Sequence, residues 1–198
     1  MFDRISARRP RWFGIIDLTQ GFHQIALSPD SCKLTAFITH GGLYEYTRIP
    51  FGPKNAPSYF QQHVARIVLK DLLYQICELY IDDIIVYGDS DDEFLRNVRT
   101  ILNRFKDYGV VVKPTKCQLG IDTVEYVGRV LTYDGTTMRD ETTLKVLNFP
   151  VPEYIKKLRS FLGLVNYFRD HIYGNLSEML APLQRMITTH TCEKTRLK

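Results

Sequence analysis

The stretch Cys77-Glu78-Leu79-Tyr80-Ile81-Asp82-Asp83-Ile84-Ile85-Val86-Tyr87-Gly88 decides the fold. Two short apolar runs, Cys77 to Ile81 and Ile84 to Gly88, flank an Asp82-Asp83 pair suited to a tight turn, so the stretch reads as a β-hairpin. Downstream, Ser90 and Glu93 have capping-box spacing, and Phe94, Leu95, Val98, Ile101, Leu102 and Phe105 mark one helical face that Gly109 closes. Val110 to Val112 reads as the next strand. Upstream, Trp12 to Leu18 has the pattern of a buried strand with an acid near its end, and Phe60, Val64, Ile67, Val68 and Leu72 recur at helical spacing after Pro57. Between these two, Leu34 to Thr39 and Leu43 to Ile49 around Gly41-Gly42 read as a further hairpin, and Pro50, Gly52 and Pro53 as a loop. With that hairpin set aside as an insertion, the order is strand, helix, strand, strand, helix, strand. This is the split βαββαβ pattern of an α+β fold. Its first and third strands lie antiparallel at the sheet centre, which brings Asp17 to Asp82 across 65 residues of sequence.

Further along, Val124 to Thr132 with the Asp134-Gly135 turn reads as another hairpin. Ile155, Leu158, Phe161, Leu162, Val165, Phe168 and Ile172 mark an amphipathic helix, and Leu176 to Met186 a shorter one. The 198 residues are 44% hydrophobic, 12% aromatic and 24% charged, a composition that excludes wholesale disorder and leaves room for one domain or a domain with an appendage. No apolar run approaches the roughly 20 residues of a membrane helix. The arginines at 4, 8, 9 and 11 precede an apolar run too short for a signal peptide, so the expected setting is intracellular, cytoplasmic or nuclear. Cysteines at 32, 77, 117 and 192 form no CxxC pair, and His190 with Cys192 has no further ligands nearby, so a zinc cage is not expected and the thiols read as buried.

Charge is unevenly spread. Seven acids and no Lys or Arg lie between Glu78 and Glu93, leaving 15 of the 22 acids against all 26 basic residues elsewhere. A basic body with one acidic segment suits a polyanion-binding protein that also takes a divalent cation, with the N-terminal arginines among the binding cations. Three carboxylates converging at one sheet edge repel one another unless a cation neutralises them. Hard oxygen donors select Mg²⁺ or Mn²⁺. Two such ions about 3.5 to 4 Å apart can activate an attacking oxygen and stabilise a leaving one in phosphoryl transfer.

Six ordered boxes carry a resemblance. They are Asp17-Leu18-Thr19-Gln20-Gly21-Phe22-His23-Gln24, Ile49-Pro50-Phe51-Gly52-Pro53-Lys54-Asn55-Ala56-Pro57, Tyr80-Ile81-Asp82-Asp83, Lys113-Pro114-Thr115-Lys116-Cys117, Tyr126-Val127-Gly128-Arg129, and the run from Lys157 to Arg169. Together they resemble the reverse transcriptase palm of gypsy-like LTR retrotransposons over residues 12–187. The resemblance implies a polymerase palm at 12–138 with partial fingers at 25–56, a helical thumb start at 139–187 and an unrelated polar tail at 188–198.

It also implies residue roles. Asp17, Asp82 and Asp83 match the metal-binding catalytic triad. Phe22 matches the aromatic that excludes a 2′-hydroxyl. Phe51, Gly52 and Lys54 match the segment lining the nucleotide pocket, Phe51 standing where retroviral relatives often carry Gln, and Tyr80 joins them as a substrate-side residue. Lys116 matches a lysine proposed to protonate the pyrophosphate leaving group, beside the plainer reading of a surface lysine. Gln24, Tyr126, Gly128 and Arg129, with Lys156, Lys157 and Arg159 of the thumb start, match nucleic-acid contacts. The implied partners are an RNA or DNA template with its primer and deoxynucleoside triphosphates. The implied cofactor is Mg²⁺ or Mn²⁺. Because the chain starts almost at the Asp17 strand, it reads as a fragment short of its fingers. A noncatalytic nucleic-acid-binding remnant is the rival reading.

Overall fold

Helix α1 (Phe2–Arg8) leads into strand β1 (Trp12–Asp17) in the computed structural model, which describes residues 1–169, 172 and 174–189. A 3-10 turn, Gly21–Gln24, and the short helix α2 (Pro29–Cys32) precede the hairpin β2 (Phe37–Thr39) and β3 (Gly42–Tyr44). Helix α3 (Ala56–His63) runs on as a π-helical turn, Val64–Val68, before β4 (Cys77–Tyr80), β5 (Asp83–Gly88) and α4 (Asp91–Asp107). Then come β6 (Gln118–Ile121), β7 (Val124–Tyr126), β8 (Arg129–Thr132) and β9 (Gly135–Met138). The chain divides into two units after Thr136. The second contains α5 (Asp140–Leu147), α6 (Ile155–Tyr167) and α7 (Leu176–Thr189).

The main sheet has the order β4-β5-β1-β6, the arrangement of a split βαββαβ unit. β1 pairs antiparallel with β5 along its whole length, from Trp12 opposite Gly88 to Asp17 opposite Asp83. Both faces of this central pair are covered. On one, Ile16, Ile84 and Val86 pack with Phe60 and Val64 of the α3 segment and with Phe94, Val98 and Ile101 of α4. On the other, Phe13, Ile85 and Tyr87 pack with Ile5 of α1 and with Val124, Tyr126 and Leu131 of the β7–β8 hairpin. Double coverage explains why Ile84 to Tyr87 is a continuous apolar run rather than an alternating one.

The details depart from the sequence reading at several points. The two-residue turn is Ile81-Asp82, and Asp83 already belongs to β5, where it pairs with Tyr80. Val110 to Val112 makes only an isolated bridge, Leu18 to Val112, and the fourth sheet strand is β6, beyond Pro114. The π turn adds a residue to the helical repeat, so Val68 and Leu69 face the core and Ile67 turns outward. Val124 to Thr132 is two strands joined at Val127-Gly128 rather than one. Helices α1 and α5 carry no clear periodic signal in the sequence and are additions to it. Ile172 lies past the end of α6, Thr188 and Thr189 belong to α7, and the rest of the expected polar tail, with His190 and Cys192, lies outside the described residues. Cys32 and Cys77 are buried as expected, and burial pushes the Cys77 thiol up to about 12.

Part of the acidic run is neutralised by the N-terminal arginines. Arg4 Nε lies 2.8 Å from Oε1 of the buried Glu78, and Arg8 pairs with Glu93 at 2.9 Å. Trp12 Nε1 donates to Asp91 Oδ1 at 2.6 Å, with Arg11 3.9 Å from the same carboxylate. The seven acids are therefore not one feature: Asp82 and Asp83 serve the sheet edge, while Glu78, Asp91 and Glu93 fasten α1 and the start of β1. Arg4 and Arg8, expected to meet a polyanion, are engaged by these carboxylates instead.

Gly88 is where β5 meets the first turn of α4. A Cβ there would stand 2.6 Å from the Phe94 backbone nitrogen and 2.7 Å from its Cα. Backbone cannot swing aside as a side chain can, so Gly88→Ala is expected to destabilise the fold by about 2 to 3 kcal/mol. Urea denaturation checks this, and an unchanged midpoint would mean that α4 slides freely.

Candidate active site

Asp17 closes β1, and the β1–β5 register sets it directly across from Asp83. Asp82 stands one residue earlier, in a turn whose other member, Ile81, has φ of 55°. A β-branched residue in the left-handed region costs on the order of 1–2 kcal/mol, held here by strand pairing on both sides. Gly21 closes the site from above. A Cβ on it would lie 2.8 Å from the Phe60 ring and 3.5 Å from Asp82 Oδ1, so a side chain there would crowd the carboxylate's neighbourhood.

Asp82 Oδ1 is buried and has no hydrogen-bond partner. Burial, followed by the Asp83 and Asp17 charges, raises the Asp82 carboxyl above its ordinary range. Burial and Asp17 raise Asp83 as well, while Lys116 pulls it down. Lys116 Nζ stands 3.7 Å from Asp17 Oδ2. An acid whose folded pKa is raised gives stability that is complete below its unfolded pKa and is lost as pH climbs through the folded value. In chelator, Asp82→Asn should therefore gain stability over the parent chain from about pH 4 to pH 7. Urea midpoints across that range test this. A difference that does not change with pH would mean that Asp82 feels neither burial nor its neighbours.

A recess of about 290 Å³ is lined by Phe22, Phe51, Gly52, Pro53, Lys54, Ala56 and Pro57. Phe22 is both wall and core: it is buried, with ring centroids 5.1 Å from Phe60 and 5.2 Å from the exposed Phe51. Tyr80, at the end of β4, is 44% exposed beside the carboxylates. The topology thus brings together the three aspartates and Lys116, with Tyr80 alongside, and gathers Phe22, Phe51, Gly52 and Lys54 around the recess.

Other expected site residues have different surroundings. Tyr126 is buried, and its hydroxyl donates to the Asp83 carbonyl at 3.1 Å, so it fastens the β7–β8 hairpin to the carboxylate strand instead of facing a nucleic acid. Gly128 forms the hairpin turn, and the Arg129 guanidinium lies 4.5 Å above the Phe2 ring. Gln24 is satisfied internally: its amide nitrogen donates to the Val111 carbonyl at 2.8 Å and to the Thr19 carbonyl at 2.5 Å, and its oxygen accepts the Val111 N–H at 2.8 Å. Both ends of the amide are used, which its place in a motif does not reveal. Lys156, Lys157 and Arg159 are exposed on α6 of the second unit. Sequence reasoning missed Gly21 and Ile81 as site-shaping residues; an isoleucine beside Asp-Asp carries no signal of a positive φ.

The donors suit a hard cation, being carboxylate oxygens with one atom buried and unpartnered. Among the described residues, however, no three Asp, Glu, His or Cys side chains are drawn together into a ready ion cage. Like charges at one sheet edge repel, which opposes such closure.

The family model described as reverse transcriptase (RNA-dependent DNA polymerase) matches residues 4–131. The retrovirus-related Pol polyprotein from transposon gypsy of Drosophila melanogaster is 35% identical over 164 residues, covering 83% of this chain and 16% of that protein. The corresponding polyprotein from transposon 297 of the same organism is 34% identical over 181 residues, covering 91% and 17%. The chain thus spans less than a fifth of the length of these curated relatives. Among solved structures, the foamy viral protease-reverse transcriptase dRH in complex with double-stranded DNA superposes with a TM-score of 0.81 at 30% identity, over 94% of this chain and 32% of that one. The foamy viral protease-reverse transcriptase in complex with an RNA/DNA hybrid gives 0.74 at 29% identity, over 96% and 25%.

Proposed function

The chain belongs to the reverse transcriptase (RNA-dependent DNA polymerase) family, and from that premise we propose that it carries the nucleotidyl-transfer centre of an RNA-directed DNA polymerase. The observation that carries this reading is the register of Asp17 against Asp83, with the buried, unpartnered Oδ1 of Asp82 beside them. Asp17, Asp82 and Asp83 would hold Mg²⁺ or Mn²⁺. When bound, such ions neutralise the carboxylates and act as Lewis acids toward the reacting oxygens.

The chain's own groups do the rest. Phe22 forms the floor on which the incoming sugar rests, backed by Phe60 so that it cannot recede. Lys54, at the recess, meets the triphosphate. Lys116 holds a proton on Nζ, close enough to the Asp17 carboxylate to be steered toward the leaving pyrophosphate. Phe51, Gly52 and Tyr80 border the base and template side. Gly128 and Arg129 present the β7–β8 turn to the primer backbone, with Tyr126 as the anchor that ties this turn to Asp83. Lys156, Lys157 and Arg159 of the second unit contribute phosphate contacts. In this assignment, residues 12–138 are palm, with 25–56 an inserted fingers segment, and 139–187 begin the thumb.

Primer extension on an RNA template tests the proposal, run with the chain alone and with a fusion that places a relative's preceding polymerase segment before Met1, so that α1 and the whole of β1 are kept. Extension that needs Mg²⁺ and vanishes in Asp82→Asn is expected of whichever form is competent. A second reading, a nucleic-acid-binding module without chemistry, draws on the recess having Lys54 as the one cation among its described lining residues. Salt-sensitive hybrid binding by both the chain and the fusion, with extension by neither, would favour that reading and overturn the first.

A further inference from the structure

We propose that Gln24 is a positioning residue whose side-chain amide sets Lys116 against Asp17; the link to chemistry rests on the polymerase reading above. The amide behaves as a short piece of strand. It offers the Val111 backbone both a donor, at 2.8 Å to the carbonyl, and an acceptor, at 2.8 Å from the N–H. The neighbouring bonds run the same way: Thr19 N–H donates to the Val111 carbonyl at 2.9 Å, and Lys113 N–H donates to the Asp17 carbonyl at 2.8 Å. These two backbone bonds frame the short Leu18–Val112 bridge, and Gln24 extends it by one residue, inserting its amide between the Val111 N–H and the Thr19 carbonyl.

The chain just beyond Val111 makes this consequential. Lys113 leads directly into the 3-10 turn Pro114–Lys116, where Pro114 fixes one backbone angle and Lys116 N–H donates to the Lys113 carbonyl at 3.0 Å. With so short and stiff a link, the position of Lys113 dictates that of Lys116, whose Nζ lies 3.7 Å from Asp17 Oδ2. The other side of Gln24 is tied as well. Its own carbonyl accepts Arg48 Nη1 at 2.7 Å, and Ile49 N–H donates to the Ile25 carbonyl at 3.1 Å, on the segment that continues to Phe51 and Lys54. One glutamine thus joins the arm carrying the lysine to the arm carrying the recess.

The test uses Gln24→Met, which keeps length and loses both hydrogen-bonding ends, and Gln24→Glu, which keeps an acceptor but turns a carboxylate toward two carbonyl oxygens. Hydrogen exchange at Val111 and Lys113 should quicken about tenfold or more in both variants while Ile15 and Ile85 in the β1–β5 pair stay protected, which also shows that the variants fold. In whichever form extends a primer, the chain or the fusion, Gln24→Met should lower kcat without raising KM for the hybrid. In a Lys116→Met background it should add little, because the lysine it positions is gone. Unchanged exchange at Lys113, or rate losses that simply multiply with Lys116→Met, would overturn the proposal. A rise in KM for the hybrid with exchange unaltered would instead make Gln24 a nucleic-acid contact. If neither form extends a primer, the polymerase reading fails, and the exchange result still decides whether the clamp exists.

Discussion

Asp82→Asn is expected to lower Mn²⁺ affinity at least tenfold and to abolish detectable primer extension, while making the chain more stable in chelator at neutral pH. These opposite signs follow from one arrangement. Asp82 sits between burial and two like charges, so its ionised form is a cost to the fold, and that cost is the condition for attracting a cation. Asparagine keeps the shape and removes the charge, relieving Asp83 and Asp17 together. A variant that merely unfolded would lose both properties, so the pair of measurements separates chemistry from collapse. Mn²⁺ titration followed by electron paramagnetic resonance, beside urea denaturation in chelator, reads both. Equal Mn²⁺ affinity in Asp82→Asn and the parent chain would remove the turn carboxylate from the ion site. Asp83→Asn should behave alike with a smaller gain in stability, because Lys116 already offsets part of the Asp83 repulsion.

The central features are legible in the sequence because they rest on long-range pattern. Apolar runs of strand length, a helix between the first two and the handedness of the crossover leave few ways to assemble the sheet, and the meeting of Asp17 with the Asp-Asp hairpin is their consequence. The hidden features are decided by tertiary contact. Aspartates are natural turn residues, yet the β4–β5 ladder draws Asp83 into the strand and forces Ile81 into the turn at a positive φ. Val110 to Val112 is apolar enough for a strand, but its pairing stops at a single bridge to Leu18 and is completed by a glutamine side chain, which no periodicity can announce. The acidic run resembles a single electrostatic feature only while α1 is left out; once that helix is in place, Arg4 and Arg8 reach Glu78 and Glu93, and Asp82 and Asp83 stand apart from those pairs. Tyr126 shows the same limit: its motif suggests contact with a primer, whereas its burial and its bond to Asp83 make it an internal tie between the β7–β8 hairpin and β5.

Phe22→Val is expected to raise ribonucleoside relative to deoxyribonucleoside triphosphate binding by about tenfold to a hundredfold in the hybrid-bound protein. The ring forms one wall of the recess and is braced by Phe60 at 5.1 Å, so a bulky 2′ substituent against it cannot be accommodated by rotation. Valine removes that volume without adding a polar group, so the change in preference reports space alone. The same ring belongs to the core, and its loss should also cost about 2 to 4 kcal/mol of stability. The two effects part company at Phe60: Phe60→Leu should reproduce the loss of stability, and it should relax discrimination only as far as Phe22 moves back into the space vacated. Competition binding with paired nucleotides, run on both variants, separates wall from filler. Destabilisation of Phe22→Val with the ribose preference unmoved would make Phe22 a core aromatic and nothing more, and the sugar would then have to be sensed by Phe51, which is 66% exposed at the mouth of the same recess.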